Sequence, residues 1–127
     1  MNRGVSMKVV FLSLTGQTRR FVQKLELPIV EITPQDVFQI MDEPYIIVSP
    51  TYDMEVFEYF QDFIETDDNQ VLLKGVAGSG NRNFNTSFCQ TAKMISTTYD
   101  VPLLHCFEFH GTQKDVTIIK EKVSELG

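Results

Sequence analysis

The sequence has little positive charge and lacks a long apolar run. Lysine and arginine together number 11 against 17 aspartates and glutamates, which gives a net charge of −6. An acidic chain suits neither nucleic acid nor an anionic membrane, because both attract basic surfaces. No stretch approaches the roughly 18 apolar residues of a membrane span, and the first six residues contain no signal-peptide core. We therefore expect a cytoplasmic protein that has neither nucleic acid nor a membrane as its partner.

Cysteine is scarce, and several motifs of α/β enzymes are absent. The two cysteines, Cys89 and Cys106, lack C-x-x-C spacing. We interpret them as reduced core thiols, although the sequence leaves a disulfide between them open. There is no G-x-G-x-x-G after the first predicted strand and no Gly-Lys-Ser/Thr of a Walker loop. No His, Cys, Asp and Glu cluster has metal-ligand spacing, and His105 and His110 read as strand residues rather than catalysts.

Apolar segments alternate with amphipathic helical patterns along the chain. The 127 residues are 43% hydrophobic, which is enough for one domain over 7–127, with 1–6 as an N-terminal tail to which we assign no function. Strands are predicted over 7–13, 29–32, 45–49, 71–77 and 101–109. Helices are predicted over 17–25, along an apolar stripe from Val56 to Ile64, over 85–98, and after a capping box formed by Thr112 and Asp115. The inward residues of the last two helices are predicted to be Phe88, Thr91, Ala92 and Ile95, and Val116, Ile119, Val123 and Leu126. This order predicts an α/β fold: a doubly wound, five-stranded parallel sheet of flavodoxin-like type in three α/β/α layers.

Three loops with unusual residues follow predicted strands, at Ser13–Thr18, Pro50–Asp53 and Gly78–Phe84. Doubly wound sheets bind ligands at the carboxyl ends of their strands, so these loops should meet at one edge. The first loop combines hydroxyl side chains with the unpaired amides of a helix start, which suits a phosphate group. Gly16 permits the turn that this backbone needs. The alternative is an ordinary helix with Thr15 or Thr18 as its N-cap.

The other two loops carry groups that suit a planar ligand. Tyr52 and Phe84 offer aromatic faces for stacking, and the amide-rich loop with Asn81 and Asn83 can recognise a ring edge that carries donors and acceptors. Together with a phosphate turn, these groups describe a flavin mononucleotide (FMN) site. Ordinary packing is the alternative for either aromatic residue taken alone.

These motifs resemble a known family. Ser13–Thr18 resembles the phosphate signature of flavodoxins. The whole of Met7–Gly127 is similar to the NrdI family, the small flavodoxin-like stimulatory proteins of class Ib ribonucleotide reductase. The segments that carry this resemblance are Asp42-Glu43-Pro44-Tyr45, Pro50-Thr51-Tyr52, Gly75–Phe84, Val101-Pro102-Leu103-Leu104, Phe107-Glu108 and Gly111-Thr112.

The resemblance implies an FMN-binding redox activator of ribonucleotide reductase rather than an enzyme with its own metabolic substrate. In that family, reduced flavin reacts with dioxygen and yields superoxide. The superoxide passes to the manganese-dependent class Ib small subunit, where it drives assembly of the dimanganese–tyrosyl radical cofactor. A flavin reductase or another electron donor, not identified by the sequence, is implied as a second partner.

Carried over by position, the resemblance also implies site residues. The phosphate would be held by Ser13, Thr15, Gly16, Gln17 and Thr18. The isoalloxazine would be held by Pro50, Thr51, Tyr52, Asp53, Gly78, Ser79, Gly80, Asn81, Asn83 and Phe84. Arg82 is our candidate for a charged contact with the partner protein, and the alternative is a solvated loop residue.

Two departures from the family pattern affect the flavin. Family members often carry glycines where Asp53-Met54-Glu55 stand here, and a glycine where Asn85 stands. A glycine peptide can flip to hydrogen-bond the reduced flavin, and Asp53 would do so less readily. The acids Asp53, Glu55 and Glu58 would also disfavour a negatively charged reduced ring. Two other functions stay open: a general flavodoxin electron carrier, and a partner-binding module without flavin.

Overall fold

A computed structural model describes residues 7–12, 16–50, 54–80, 89–108 and 111–126, with Gln17 and Met54 described by their backbone alone. Five strands form one parallel sheet in the order β2-β1-β3-β4-β5. The strands are Lys8–Phe11 (β1), Ile29–Glu31 (β2), Tyr45–Ser49 (β3), Leu73–Gly80 (β4) and Leu103–Glu108 (β5). The helices are Gln17–Gln23 (α1), Met54–Ile64 (α2), Asn69–Leu72 (α3), Gln90–Tyr99 (α4) and Gln113–Leu126 (α5). The predicted α/β fold class is confirmed.

The central strands are buried on both faces, as their continuous apolar runs predict. All five residues of β3 are inaccessible to solvent, and Val9, Val10 and Phe11 of β1 are buried as well. Helices cover each face because a parallel sheet needs a crossover connection between successive strands. One core lies between the sheet and α2 and α4, and includes Phe60 and Ile95. The second core lies on the other face, where α1 and α5 pack.

Local sequence signals explain the outer helices. The predicted apolar stripe of α2 is buried at Val56, Phe60, Phe63 and Ile64, and that of α5 at Val116, Ile119 and Val123. The predicted capping box begins α5. The Thr112 amide donates to Asp115 Oδ2 at 2.8 Å, and the Asp115 amide donates to Thr112 Oγ1 at 3.3 Å.

The prediction of a fourth strand beginning at residue 71 is wrong. Residues 69–72 form the short helix α3, and β4 begins at Leu73. Val71 has the apolar character of a strand residue but is 73% exposed. The deciding residue is Asn69, whose buried side chain bonds to the backbone of Gln39, Met41 and Phe63 and so fixes this turn. These are long-range contacts that a local pattern does not reveal.

Other predicted boundaries shift by a few residues. Helix α1 ends two residues early, and β5 is shorter than predicted at its start. Helix α4 begins at Gln90, while the predicted helix residues 85–88 lie outside the described part of the chain. Residues 1–6 and His110 lie outside it too, and His105 is a strand residue as expected.

The two cysteines form a disulfide, so the interpretation of reduced core thiols is wrong. Cys89 and Cys106 are 17 residues apart in sequence, and their Cα atoms are 5.9 Å apart. This separation lies within the range that a disulfide spans. It arises because the N-terminus of α4 packs beside β5, which is a tertiary feature.

Candidate functional site

The strand order creates a crevice between β1 and β3. The chain leaves β1 toward β2 on one side and leaves β3 toward β4 on the other. In sheets of the order 2-1-3-4-5, ligands bind at this switch point, outside the carboxyl ends of the strands. The register pairs Phe11 with Val48 and Ser49 with Gly78, so the ends of β1, β3 and β4 meet at one edge.

Gly16 makes the turn from β1 into α1. Its φ of +90° lies in the left-handed region, which favours glycine, as the sequence predicts. Gly16 is the N-cap residue of α1, without a side-chain cap, and its carbonyl accepts the first intrahelical bond from the Arg20 amide at 3.1 Å. The amides of Gln17 and Thr18 come before that bond. Thr18 is therefore not an N-cap, and the ordinary-helix alternative for it is wrong.

Thr18 has a buried hydroxyl with no partner in the described part of the chain. The residue is only 5% exposed, and none of the hydrogen bonds among the described residues uses its Oγ1 atom. Buried polar atoms in proteins are nearly always hydrogen-bonded, because leaving one unpaired costs about 1–3 kcal/mol. A ligand at the α1 N-terminus would supply the missing partner.

Two further buried hydroxyls share this property. Ser79 in β4 is 6% exposed and Thr91 in the first turn of α4 is 4% exposed, and neither side chain forms a hydrogen bond within the described residues. By contrast, the buried Ser49 hydroxyl donates to the Pro50 carbonyl at 2.8 Å. Thr18, Ser79 and Thr91 all lie at the carboxyl edge of the sheet, because α1 and α4 begin there and Ser79 is the next-to-last residue of β4. We call these three residues the unpaired hydroxyl set.

Gly78, Ser79 and Gly80 belong to β4, so their prediction as part of a loop is wrong. Strand pairing continues to Gly80, which lies opposite Glu108 of β5. Gly78 is required by packing: a Cβ there would lie 2.5 Å from the Ala92 Cβ and 3.0 Å from the Cys89 Sγ. Because side chains alternate along a strand, Ser79 points to the opposite face of the sheet.

An arginine lies beside the Gly16 turn, and the sequence analysis missed it. Arg19 forms two hydrogen bonds with Glu31, from Nε to Oε1 at 3.1 Å and from Nη2 to Oε2 at 2.6 Å. These bonds are the main cause of a raised pKa for Arg19. Its Nη1 atom lies 3.9 Å from the position that a Gly16 Cβ would take. Two consecutive arginines after a hydroxyl-rich turn, in an acidic chain, were the sequence signal that could have identified Arg19.

Thr91 is a second residue that the sequence did not place at the site, because it was assigned to the core. A hydroxyl within the apolar stripe of a helix was the signal that could have identified it.

A satisfied polar cluster lies farther along the same edge, beyond β4. His105 Nε2 is 2.7 Å from Asp115 Oδ1, and the second Asp115 oxygen accepts bonds from the Thr112 amide and hydroxyl. Burial, the largest single influence, raises the pKa of Asp115, but the hydrogen bonds from His105 and Thr112 together outweigh it. The net effect is a lowered pKa. This cluster has its partners within the protein and needs no ligand.

The structure brings part of the predicted site together and leaves another part undescribed. Gly16, Gln17, Thr18, Pro50, Gly78, Ser79 and Gly80 lie at the carboxyl edge of β1, β3 and β4. Predicted residues outside the described part of the chain are Ser13, Thr15, Thr51, Tyr52, Asp53, Asn81, Asn83 and Phe84, together with the partner candidate Arg82.

Three other features of the described residues bear on the assignment. A groove of about 380 Å³ lies between α2 and α4, but its lining comes from these two helices and not from strand ends. The described ranges contain no group of three or more His, Cys, Asp and Glu residues that could hold a metal ion. None of the helices in those ranges is long and apolar enough to cross a bilayer.

Comparison with known proteins agrees with this geometry. Two solved structures share the fold. A short-chain flavodoxin associated with a non-canonical PDU bacterial microcompartment has 17% identity, a TM-score of 0.72 and 97% coverage of each chain. Oxidised Flavodoxin 2 from Bacillus cereus has 15% identity and a TM-score of 0.65, with 94% of this chain and 97% of that chain covered. The sequence itself matches the family described as NrdI flavodoxin-like over residues 9–121. The chain therefore belongs to the NrdI flavodoxin-like family.

Proposed function

We propose that this protein binds FMN at the β1/β3 switch point and, in its reduced state, acts as a redox activator of a class Ib ribonucleotide reductase. Membership in a flavodoxin-like family supports flavin binding, and FMN is the flavin typical of that fold. The NrdI family is associated with ribonucleotide reductase, which supports the choice of partner.

The observation that carries the FMN proposal is the unpaired hydroxyl set at the carboxyl edge. At the first turn, the Thr18 hydroxyl and the amides of Gln17 and Thr18 would hold the phosphate, with Ser13 and Thr15 from the preceding loop. Gly16 gives the backbone its left-handed turn there. The Arg19 guanidinium also lies beside the turn, where its pairing with Glu31 offsets much of its charge. Hydrogen bonds to a charged phosphate are stronger than those between neutral groups, so this arrangement favours an anion.

The ring of the flavin would lie across the ends of β3 and β4. Pro50 is buried where β3 ends, and its carbonyl already accepts the Ser49 hydroxyl, so this backbone is held in place. The Ser79 hydroxyl and the Gly80 backbone, at the end of β4, are available to polar atoms of a ring edge. We assign the stacking and edge contacts to Thr51, Tyr52, Asp53, Asn81, Asn83 and Phe84, as the family resemblance implies.

When bound and reduced, FMN supplies single electrons to dioxygen, which yields superoxide. The protein's part is to hold the phosphate so that one edge of the ring faces a docked partner. Because superoxide is lost in open solvent, delivery to a manganese small subunit requires a complex with a shared path rather than a brief collision. We propose that Arg82 contributes a charged contact to that complex.

The first experiment is reconstitution with FMN. The purified protein should be yellow, or become yellow with added FMN, at close to one flavin per chain. A protein that stays colourless after addition of FMN would contradict both redox functions and would favour a partner-binding module without flavin.

The second experiment tests the partner. Reduced protein, the manganese-loaded class Ib small subunit and dioxygen are mixed, and tyrosyl radical is measured by electron paramagnetic resonance. We expect more radical than with a flavodoxin from another system, and we expect Arg82→Glu to lower the yield while FMN affinity is unchanged. A yield equal to that of the control flavodoxin would identify a general electron carrier.

A further inference from the structure

We propose that Cys89 and Cys106 form a reversible thiol–disulfide site that pins the first turn of α4 to the carboxyl edge of the sheet and so adjusts FMN binding. The inference about affinity rests on the proposed function, whereas the thiol chemistry does not. Both cysteines lie next to the candidate site: Cys106 is the register partner of Gly78, and Cys89 is the N-cap of α4.

The disulfide joins two elements that frame the candidate site. Cys89 comes two residues before Thr91, a member of the unpaired hydroxyl set. A Cβ on Gly78 would lie 3.0 Å from the Cys89 Sγ and 2.5 Å from the Ala92 Cβ, so the start of α4 sits directly on β4. The covalent link to β5 therefore fixes where α4, and Thr91 with it, meets the sheet edge.

The backbone at Cys89, next to the disulfide, is in an unfavourable conformation. Cys89 has a φ of +61°, in the left-handed region that non-glycine residues rarely adopt. It is the N-cap of α4 but forms no side-chain cap hydrogen bond. When the disulfide is opened, this residue gains the freedom to leave that conformation. We therefore expect reduction to loosen the first turn of α4 more than the rest of the helix.

The two sulfurs differ in a way that sets the course of reduction. Cys89 is fully buried, whereas Cys106 is partly exposed. A glutathione thiolate would attack the Cys106 sulfur, forming a mixed disulfide as the bond to Cys89 breaks. Cys89 leaves as a thiolate at the N-terminus of the ten-residue helix α4, where the helix dipole favours negative charge. A second glutathione then releases Cys106, so two glutathione thiols supply two electrons and two protons, and one glutathione disulfide forms.

The experiment compares oxidised and glutathione-reduced forms of the same wild-type chain. Thiols are counted by alkylation after denaturation, and we expect none before treatment and two after it under native conditions. The apparent Tm should fall by about 10 °C, because the cross-link no longer restricts the unfolded chain. Hydrogen exchange of the amides at 93–96, which donate the first intrahelical bonds of α4, should become faster in the reduced form, while exchange at β3 should not change.

FMN affinity is then measured for both forms by fluorescence titration after glutathione has been removed without air. We expect the Kd to rise about tenfold on reduction. This is about the cost of immobilising one or two additional side chains at the site when FMN binds. Reoxidation should restore the original Kd. The double variant C89S/C106S should have one Kd that glutathione treatment does not change, which controls for direct effects of glutathione on the flavin.

Three results would overturn the proposal: free thiols in the air-oxidised protein, resistance of the native disulfide to glutathione, or equal Kd values and equal exchange at 93–96 in the two forms. Resistance to glutathione is the behaviour of a purely structural disulfide. Failure of both forms to bind FMN would contradict the proposed function instead, and thiol counts and exchange at 93–96 would still decide whether the switch exists. If the double variant does not fold, the comparison within the wild-type chain still decides the question.

Discussion

Buried polar groups at the two ends of the sheet differ in how they are satisfied. At the amino end, the Asn69 side chain accepts a bond from the Met41 amide at 2.7 Å and donates to the carbonyls of Gln39 and Phe63, each at 2.8 Å. The Tyr45 hydroxyl donates to the Asn69 carbonyl at 2.8 Å. Burial, above all, raises the pKa of Tyr45, so this hydroxyl keeps its proton.

At the carboxyl end, the unpaired hydroxyl set has no such partners among the described residues. Thr18, Ser79 and Thr91 are 4–6% exposed, against 0% for Asn69 and Tyr45, so little water reaches their hydroxyls. A fold stabilised by its own contacts would satisfy both ends alike, since an unpaired buried group costs free energy. The amino-end network is satisfied within the protein, and the three unpaired hydroxyls are what we expect if the carboxyl end binds a ligand, as proposed above.

Removal of the Asn69 side chain tests the amino end and should have the largest effect. Asn69→Ala leaves three backbone groups without their partner, and we expect the free energy of unfolding to fall by about 3 kcal/mol or more. Urea denaturation measures the loss. Gln70→Ala, at an exposed neighbouring position of α3, is the matched control and should change stability little. A loss below about 1 kcal/mol would mean that this network does not stabilise the fold as we state.

Gly78→Ala tests a carboxyl-end feature that packing explains. The new Cβ would meet the Ala92 Cβ at 2.5 Å, so we expect a loss of about 2 kcal/mol, typical of overpacking. The double variant G78A/A92G should recover part of this loss, less the roughly 1 kcal/mol that glycine costs inside a helix. If the stability loss of the double variant equals the sum of the losses of G78A and A92G alone, Gly78 is not required by the contact with α4.

Thr18→Val tests the unpaired hydroxyl set directly. Valine keeps the shape of threonine and removes only the hydroxyl. Without FMN, we therefore expect the free energy of unfolding to stay within about 0.5 kcal/mol of the wild-type value or to exceed it. The FMN Kd should increase by about fivefold, or ~1 kcal/mol, for one lost hydrogen bond. Thr117→Val, whose hydroxyl donates to the Gln113 carbonyl in α5, is the control and should leave the Kd unchanged. A clear loss of stability with an unchanged Kd would reverse our assignment of the two ends.

Asp115→Ala tests a carboxyl-end group that already has its partners, and should have the smallest effect. The lowered pKa of Asp115 means that its charged form stabilises the fold. That contribution is complete above the unfolded value of about pH 3.9 and is lost as the pH falls through the folded pKa. We expect the variant to lose about 0.5–1 kcal/mol at neutral pH, as for other helix caps, and no difference from wild type in strong acid. Urea denaturation of both proteins from strong acid to neutral pH measures this stability difference. A difference that does not depend on pH would contradict a stabilising role for the charged Asp115 carboxylate.

The sequence alone predicted most of what local patterns control. The buried parallel strands, the α2 and α5 stripes and the Thr112–Asp115 capping box all follow from apolar spacing and short-range hydrogen bonds. The left-handed turn at Gly16 follows from the residue type itself. These features depend on residues within about one or two helical turns of each other, so no knowledge of distant contacts is needed.

Tertiary structure alone decided the features that depend on distant residues. Val71 is apolar but exposed because Asn69 bonds to backbone groups as far away as residues 39 and 41. Gly78 lies in a strand, and Cys89 meets Cys106, because α4 packs against the ends of β4 and β5. That the Thr18 hydroxyl has no partner among the described residues likewise emerges only from the folded structure. The physical reason is that burial and hydrogen-bond pairing belong to the whole packed chain, whereas propensity and periodicity belong to short segments.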